Sequence, residues 1–319
     1  FMLTGAYIIQ VLPTSGTVST LITVQGIGFN STSTVRIDFG THFTITTVTS
    51  SPSGTFSITF RINTQPFGTR YITAHTTNQQ NINKDYSGMT TAFNIRPDII
   101  TFTPTQGSVT TIVTIVGRGF EGVNTVRIDF GTSKTITTAT SSQHGTFSVS
   151  FRVNTQSWGT KVITVNTPGS TFVTTNFIIT SAYIINLTPT DGSVSTWVTL
   201  EGVGFNGTGG TIRIEFGTNQ TIATTATNDD GTFSVSFRID TQCWGTKYIT
   251  VHSNNQPNIT KYKGQTSVFF IITGAYFIQV KPTEGSVTTE ITIEGIGFDG
   301  SKTVTIDFGT HQTITTTTT

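Results

Sequence analysis

Charge is scarce in this 319-residue sequence: 17 Lys and Arg stand against 16 Asp and Glu, 10% of all residues. An ordinary globular protein carries about 25%. With a net charge of +1 and no basic block, the sequence excludes a partner held by phosphate neutralisation, so nucleic acid is not expected. Cysteine occurs once, at Cys243, which excludes an internal disulfide. It stands where Pro66 and Ser157 stand in equivalent stretches, and no histidine keeps a place beside that turn, so it reads as a small turn residue. Long apolar runs are missing too. The longest, such as "VFFII" at Val268, have the length of a strand, so no membrane-spanning helix is encoded. No signal peptide is visible, and the chain starts at Phe1. So little charge with so little hydrophobicity would suggest disorder, but Thr, Val, Ile and 24 Phe fall in alternating runs of high strand propensity.

One such run, "TVRIDFGT", occupies Thr34 to Thr41 and returns unchanged at Thr125. Close copies, "TIRIEFGT" and "TVTIDFGT", start at Thr211 and Thr303. Asp-Phe-Gly is the magnesium-binding signature of protein kinases, but the phosphate loop, strand lysine and catalytic loop that must accompany it are absent from the sequence. Val35, Ile37 and Phe39 alternate with Arg36 and Asp38, the period-two pattern of a half-buried strand with Asp38 on its outer face.

The repeat is far longer than eight residues. Pro13, Pro104, Pro189 and Pro282 open equivalent turns spaced 91, 85 and 93 residues apart. "GTFS" recurs in step at Gly54, Gly145 and Gly231, as do "NTQPFGT", "NTQSWGT" and "DTQCWGT". A period near 90 suits a chain of small domains rather than a solenoid. The register divides the chain into residues 1–3 (the end of a preceding repeat), 4–96, 97–180 and 181–273 (three repeats) and 274–319 (the first half of a fourth). Seven strands are predicted in the first repeat, at residues 6–12, 21–25, 34–39, 44–49, 55–62, 69–76 and 91–95. Seven short strands with turns at Gly and Pro predict an all-β chain of immunoglobulin-like sandwiches. Their joints, "NFIITSAYIIN" and "FFIITGAY", contain no flexible linker, so domains lying end to end are expected. Phe67, Trp158 and Trp244 share one position and are expected to plug the cores. Asp38, Asp129 and Glu215 are expected to face Arg61, Arg152 and Arg238 across the exposed sheet.

The segment "IIQVLPTSGTVSTLITVQGIGF" resembles the opening half of IPT/TIG domains, through Pro13, Gly16, Gly26, Gly28 and Phe29. Gly117, Gly119 and Phe120, then Gly202, Gly204 and Phe205, then Gly295, Gly297 and Phe298 repeat its G-x-G-F turn. The second half, "GTFSVSFRVNTQSWGTKVITV", is similar to repeats of prokaryotic cell-surface and extracellular fibre proteins. The resemblance implies an immunoglobulin-like structural module with no enzymatic activity and no cofactor. In the residues themselves no helix follows G-x-G, which excludes a dinucleotide loop. No nucleophile, base or metal set recurs: His75 and His252 align, but Asn166 takes their place in the second repeat. "NDDG" at Asn228 lacks the acidic spacing of a calcium loop.

Candidate functional residues are therefore surface residues. Sequons fall at Asn30, Asn186, Asn206, Asn219 and Asn258, with Asn30 and Asn206 expected as the best exposed pair. The repeats differ most in one loop, long at residues 77–90 and 253–267 but short at 167–171, and Tyr86 and Tyr262 in the long versions are candidate contacts. Phe1, Met2 and Leu3 supply a last strand without its domain, while Val304, Ile306 and Phe308 belong to a repeat without its second half. An apolar half-sandwich with a bare edge invites another chain, by covalent continuation or strand addition. The expectation is a structural subunit of an extracellular filament, pilus or cell-surface stalk, with copies of itself and glycans as partners. The alternative is a cell-surface adhesin or carbohydrate-binding protein.

Overall fold

The computed structural model describes residues 5–168, 172–254, 256–260, 262 and 267–319. The chain is all-β, with no helix among the described residues. The first repeat runs β1 (Tyr7–Leu12), β2 (Ser15–Gly16), β3 (Leu21–Ile27), β4 (Thr34–Phe39), β5 (His42–Thr49), β6 (Phe56–Arg61), β7 (Gly68–His75) and β8 (Ala92–Ile95). The second runs β9 (Asp98–Thr103), β10 (Gln106–Ser108), β11 (Ile112–Arg118), β12 (Thr125–Phe130), β13 (Ser133–Thr140), β14 (Phe147–Arg152), β15 (Gly159–Asn166) and β16 (Val173–Ser181). The third runs β17 (Tyr183–Thr188), β18 (Asp191–Ser193), β19 (Trp197–Val203), β20 (Thr211–Phe216), β21 (Asn219–Ala226), β22 (Phe233–Arg238), β23 (Gly245–Ser253) and β24 (Val268–Gly274). The fourth copy holds β25 (Tyr276–Lys281), β26 (Thr292–Ile296), β27 (Thr303–Phe308) and β28 (His311–Thr318). Two compact units result, one of Phe1–Thr105, Ile112–Arg152 and Lys161–Phe177, the other of Gln106–Thr111, Val153–Thr160 and Ile178–Thr319.

All seven strands predicted for the first repeat are present, and β2 is an eighth. In the first repeat one sheet has the order β1-β3-β6 and the other β2-β8-β7-β4-β5; the third repeats this as β17-β19-β22 and β18-β24-β23-β20-β21. Pro13, with no N–H to give a ladder, marks where the chain leaves β1 for the facing sheet, in which β2 runs parallel to β8. The equivalent X–Pro bonds at Pro13, Pro104, Pro189 and Pro282 are all cis. In the first unit β12 pairs with β13 and β15, and β11 with β9 and β14; in the second, β10 runs parallel to the end of β16.

Alternation builds the cores. Val35, Ile37 and Phe39 are fully buried from β4, and Phe56 and Phe60 come to meet them from β6. Phe39 packs edge-on against Phe60 and Phe93, with ring centroids 6.4 and 6.2 Å apart. The aromatic of G-x-G-F meets that of GTFS at 5.0 Å in every complete repeat: Phe29–Phe56, Phe120–Phe147 and Phe205–Phe233. Each such side chain contributes about 1.5–3 kcal/mol by burial, which holds a sandwich of this size without a disulfide.

A buried hydroxyl fastens the ends of β5, β13 and β21. Ser50 Oγ accepts from the Ser33 amide at 3.0 Å and donates to the Asn30 carbonyl. Ser141 accepts from the Asn124 amide at 3.0 Å and donates to the Glu121 carbonyl. Thr227 donates to the Gly207 carbonyl at 3.0 Å, and the exposed Thr319 makes the same kind of bond to the Asp299 carbonyl at 2.6 Å. The expected Asp–Arg pairs are corrected by topology. β4 and β6 lie in opposite sheets, as do β20 and β22, so Asp38 cannot face Arg61, nor Glu215 Arg238. Instead Asp38 meets His75 at 3.3 Å, Asp129 meets Arg127 at 3.2 Å, and Glu215 meets Arg213 at 2.8 Å and His252 at 2.9 Å.

Candidate functional site

The Asp-Phe-Gly motif is a hairpin lock. The Thr44 amide donates to Asp38 Oδ1 at 2.6 Å, and Thr135 and Thr313 do the same to Asp129 and Asp307 at 2.8 and 2.7 Å. Those threonines have φ of 52°, 60° and 53°, so the carboxylate stabilises a backbone conformation that β-branched residues rarely adopt. From the far side of the turn, Gln65 Nε2 donates to the Phe39 carbonyl at 2.7 Å while its Oε1 accepts from the Thr41 amide at 3.3 Å. Gln242 repeats both bonds, to Phe216 at 2.8 Å and from Thr218 at 3.3 Å. Gln65 is 0% exposed, and Gln156 and Gln242 are also buried. The glutamine of "NTQ" and "DTQ" is thus the buried residue of that loop. The aromatic two places on is not the expected core plug: Phe67 and Trp158 are half-buried, and Trp244 is 53% exposed.

That aromatic marks the joint between successive repeats. The Phe67 amide donates to the Phe120 carbonyl at 2.9 Å, the Trp158 amide to the Phe205 carbonyl at 2.8 Å, and the Trp244 amide to the Phe298 carbonyl at 3.0 Å. In each joint the acceptor is the phenylalanine of the next G-x-G-F turn. Arg70 Nη2 braces the first donor loop by bonds to the carbonyls of Pro66 at 2.8 Å and Phe67 at 3.1 Å, and burial lowers its pKa. The joint is close-packed at GTFS: a Cβ on Gly145 would stand 2.8 Å from Pro66 Cα, and one on Gly231 2.6 Å from Ser157 Cα. Both glycines have positive φ, 72° and 76°. Side chains add to each joint differently. Tyr183 Oη donates to the Val109 carbonyl at 3.4 Å and Tyr276 Oη to that of Val194 at 3.1 Å. In the first joint Arg118 replaces them, reaching Ser19 Oγ at 3.1 Å and Asp98 at 3.3 Å.

The long loops fold back on their own repeats. Gln79 bridges the first G-x-G-F turn, accepting from the Asn30 amide at 2.8 Å and donating to the Gly28 carbonyl at 2.9 Å; Gln256 does the same for Asn206 and Gly204, both at 3.2 Å. Tyr86 is 78% exposed, whereas Tyr262 packs against the core of the third repeat and bridges to Ile184 of β17. The sequons Asn30 and Asn206 are not the best exposed pair. Both are half-buried, because their side-chain amides bind Thr76 Oγ1 and the Asn254 carbonyl. Asn186 and Asn219 are half-buried as well, and Asn258 is exposed. Phe1, Met2 and Leu3 lie outside the described residues. In the fourth copy β25 pairs with β26 and β27 with β28; Val304 and Ile306 are half-buried, and Phe308 is 66% exposed. Among the described residues, no group of three or more His, Cys, Asp or Glu could hold a metal ion.

No family model and no curated protein matches the chain. Among solved structures it is similar to the bacterial integrin-binding protein invasin, at 13% identity and a TM-score of 0.28, over 86% of this chain and 61% of that one. A tetra-tandem repeat from the extending region of a large adhesion protein aligns at 12% identity and a TM-score of 0.28, over 91% and 79%. The BSP domain of a biofilm-associated protein aligns at 11% and 0.20, over 84% and 66%. The chain thus spans less than two thirds of the length of invasin and of the biofilm-associated structure, at 61% and 66%. Likeness at this level carries nothing about function.

Proposed function

We propose that the chain is a structural segment of an extracellular filament, pilus or cell-surface stalk, acting without catalysis and with copies of itself as its main partner. The observation that supports this reading is the recurrence of one backbone hydrogen bond, from loop amide to G-x-G-F carbonyl, at all three junctions between successive repeats. Junctions that are each hydrogen-bonded, two of them also close-packed at GTFS, resist local bending, which is what a load-bearing or spacing element requires. A nearly neutral surface rich in hydroxyls suits close lateral packing, with glycans on exposed sequons such as Asn258 as further partners. Imaging of the native material tests the reading. Uniform filaments or surface stalks are expected, and dispersed particles would overturn it.

A second reading, a cell-surface adhesin or carbohydrate-binding protein, is favoured by one feature of the third repeat. Tyr248 and Phe269 stand directly opposite each other on β23 and β24 and are 62% and 39% exposed, two neighbouring aromatic side chains of the kind on which a sugar ring stacks. A glycan array read with the intact chain and with Tyr248→Ala separates this reading from the first.

A further inference from the structure

Each sandwich has four strand edges, and three are guarded. The β2, β10 and β18 edges are only 2, 3 and 3 residues long. The β1, β9 and β17 edges are each broken by a shift of register against the neighbouring strand. The β6, β14 and β22 edges each end in an arginine, Arg61, Arg152 or Arg238. Short length, irregular register and charge are the devices that keep strand edges from pairing with other chains.

The fourth edge carries its register shift, and in β13 its one lysine, Lys134, only beside the hairpin turn. β5, β13 and β21 are 8 residues long and pair on one side only, with β4, β12 and β20. Past the locked turn, their last five residues read ITTVT, ITTAT and IATTA, without charge, proline or glycine. There the register is unbroken, from Ile37↔Thr46 to Thr34↔Thr49, from Ile128↔Thr137 to Thr125↔Thr140, and from Ile214↔Ala223 to Thr211↔Ala226. The fourth copy presents ITTTT in β28 in the same way.

We infer that these edges are docking strands for a second copy of this chain, which adds its own equivalent edge by backbone hydrogen bonding. The inference deepens the structural reading above and rests on it. The occupant follows from recurrence: the flat edge returns in every repeat, so another copy presents matching edges at the same intervals along its sequence. The chemistry is self-complementary, since threonine opposite threonine is a favourable cross-strand pair and a net charge of +1 offers little repulsion. Five residues at about 3.4 Å each give a docking segment of roughly 17 Å per repeat.

The test is sedimentation of the full 319-residue chain as a function of concentration, with three triple variants. In Thr47→Glu/Thr138→Glu/Thr224→Glu the new carboxylates stand opposite Arg36, Arg127 and Arg213, which supports folding while placing like charges edge to edge. Thr49→Lys/Thr140→Lys/Ala226→Lys places the opposite charge opposite Thr34, Thr125 and Thr211, so it remains informative if the first variant misfolds. Ser57→Glu/Ser148→Glu/Ser234→Glu adds the same charge to the guarded edge as a control. The expected result is self-association of the parent, a loss of about tenfold or more in each β5-type variant, and recovery on mixing the two, with the control unchanged. A parent that stays monomeric, or a control weakened as much as the edge variants, overturns the inference. Native filaments with edge variants that assemble like the parent would leave the structural reading standing and remove this one.

Discussion

Replacing Gln65 with alanine removes the clamp that closes the β4–β5 turn from inside the first repeat. Its Nε2 bond to the Phe39 carbonyl, at 2.7 Å, lies in the buried layer, so the carbonyl is orphaned at a cost of about 1–3 kcal/mol. Thr41, whose amide donates to Oε1 at 3.3 Å, is exposed, so water replaces that bond and only about 0.5–1.5 kcal/mol is lost. Freeing a glutamine returns about 1.5–2 kcal/mol of rotamer entropy, and the vacated volume adds roughly 1 kcal/mol of lost packing. The net is a destabilisation of about 2 kcal/mol, which for a domain of this size lowers its melting temperature by roughly 8–16 °C. Because several domains unfold in one chain, the assay is hydrogen exchange read peptide by peptide, with the third repeat as internal reference. Gln65→Glu adds a signature that simple loss of packing lacks. Its carboxylate faces the Phe39 carbonyl and is buried, so its pKa in the folded state lies above the unfolded value. The stability of that variant is therefore present at low pH and lost as pH rises through the folded value. A loss of exchange protection in the first repeat worth less than about 0.5 kcal/mol in the alanine variant, or a pH-independent glutamate variant, refutes the assignment of Gln65 as the lock.

Gly54→Ala and Gly145→Ala both force alanine to positive φ at a cost of about 1–2 kcal/mol, but only the second also pushes on Pro66 of the preceding repeat. Gly145→Ala is expected to be the more destabilising and to raise hydrogen exchange at the Phe67 amide, whereas Gly54→Ala leaves that amide protected; equal exchange in the two would count against the joint. Ser141→Ala leaves the Asn124 amide and the Glu121 carbonyl without their shared hydroxyl and is expected to cost about 1–3 kcal/mol in the second repeat, measured by urea unfolding. Glu215 is held below the usual carboxylate range by its hydrogen bonds to His252 and then Arg213. A depressed carboxylate contributes stability above its unfolded pKa and loses it as pH falls through the folded value, so the third repeat is expected to weaken on acidification. His252→Asn, which copies Asn166 of the second repeat, should reduce that dependence when unfolding is followed against pH, and an unaltered profile would reject the pairing.

Strands and their inward residues were legible from the sequence because a strand's period of two is a local property. Val35, Ile37 and Phe39 had to share a face whatever lay opposite, and the prolines and glycines of the turns set the repeat register. Which strands share a sheet is not local. It depends on hydrogen-bonded closure between segments tens of residues apart, and so Asp38 proved to face His75 of β7 rather than Arg61 of β6. Loops carry no period at all, which is why the aromatic of this loop was expected in the core while the glutamine two positions before it drew no reading. Trp158 and Trp244 read as core by hydrophobicity, yet the turn directs Gln156 and Gln242 inward, because the hairpin beside it has a carbonyl that only a buried donor can satisfy. The amide–carbonyl bond at each joint is made by backbone groups that every residue possesses, so only the folded arrangement of consecutive repeats could select Phe67, Trp158 and Trp244 as its donors.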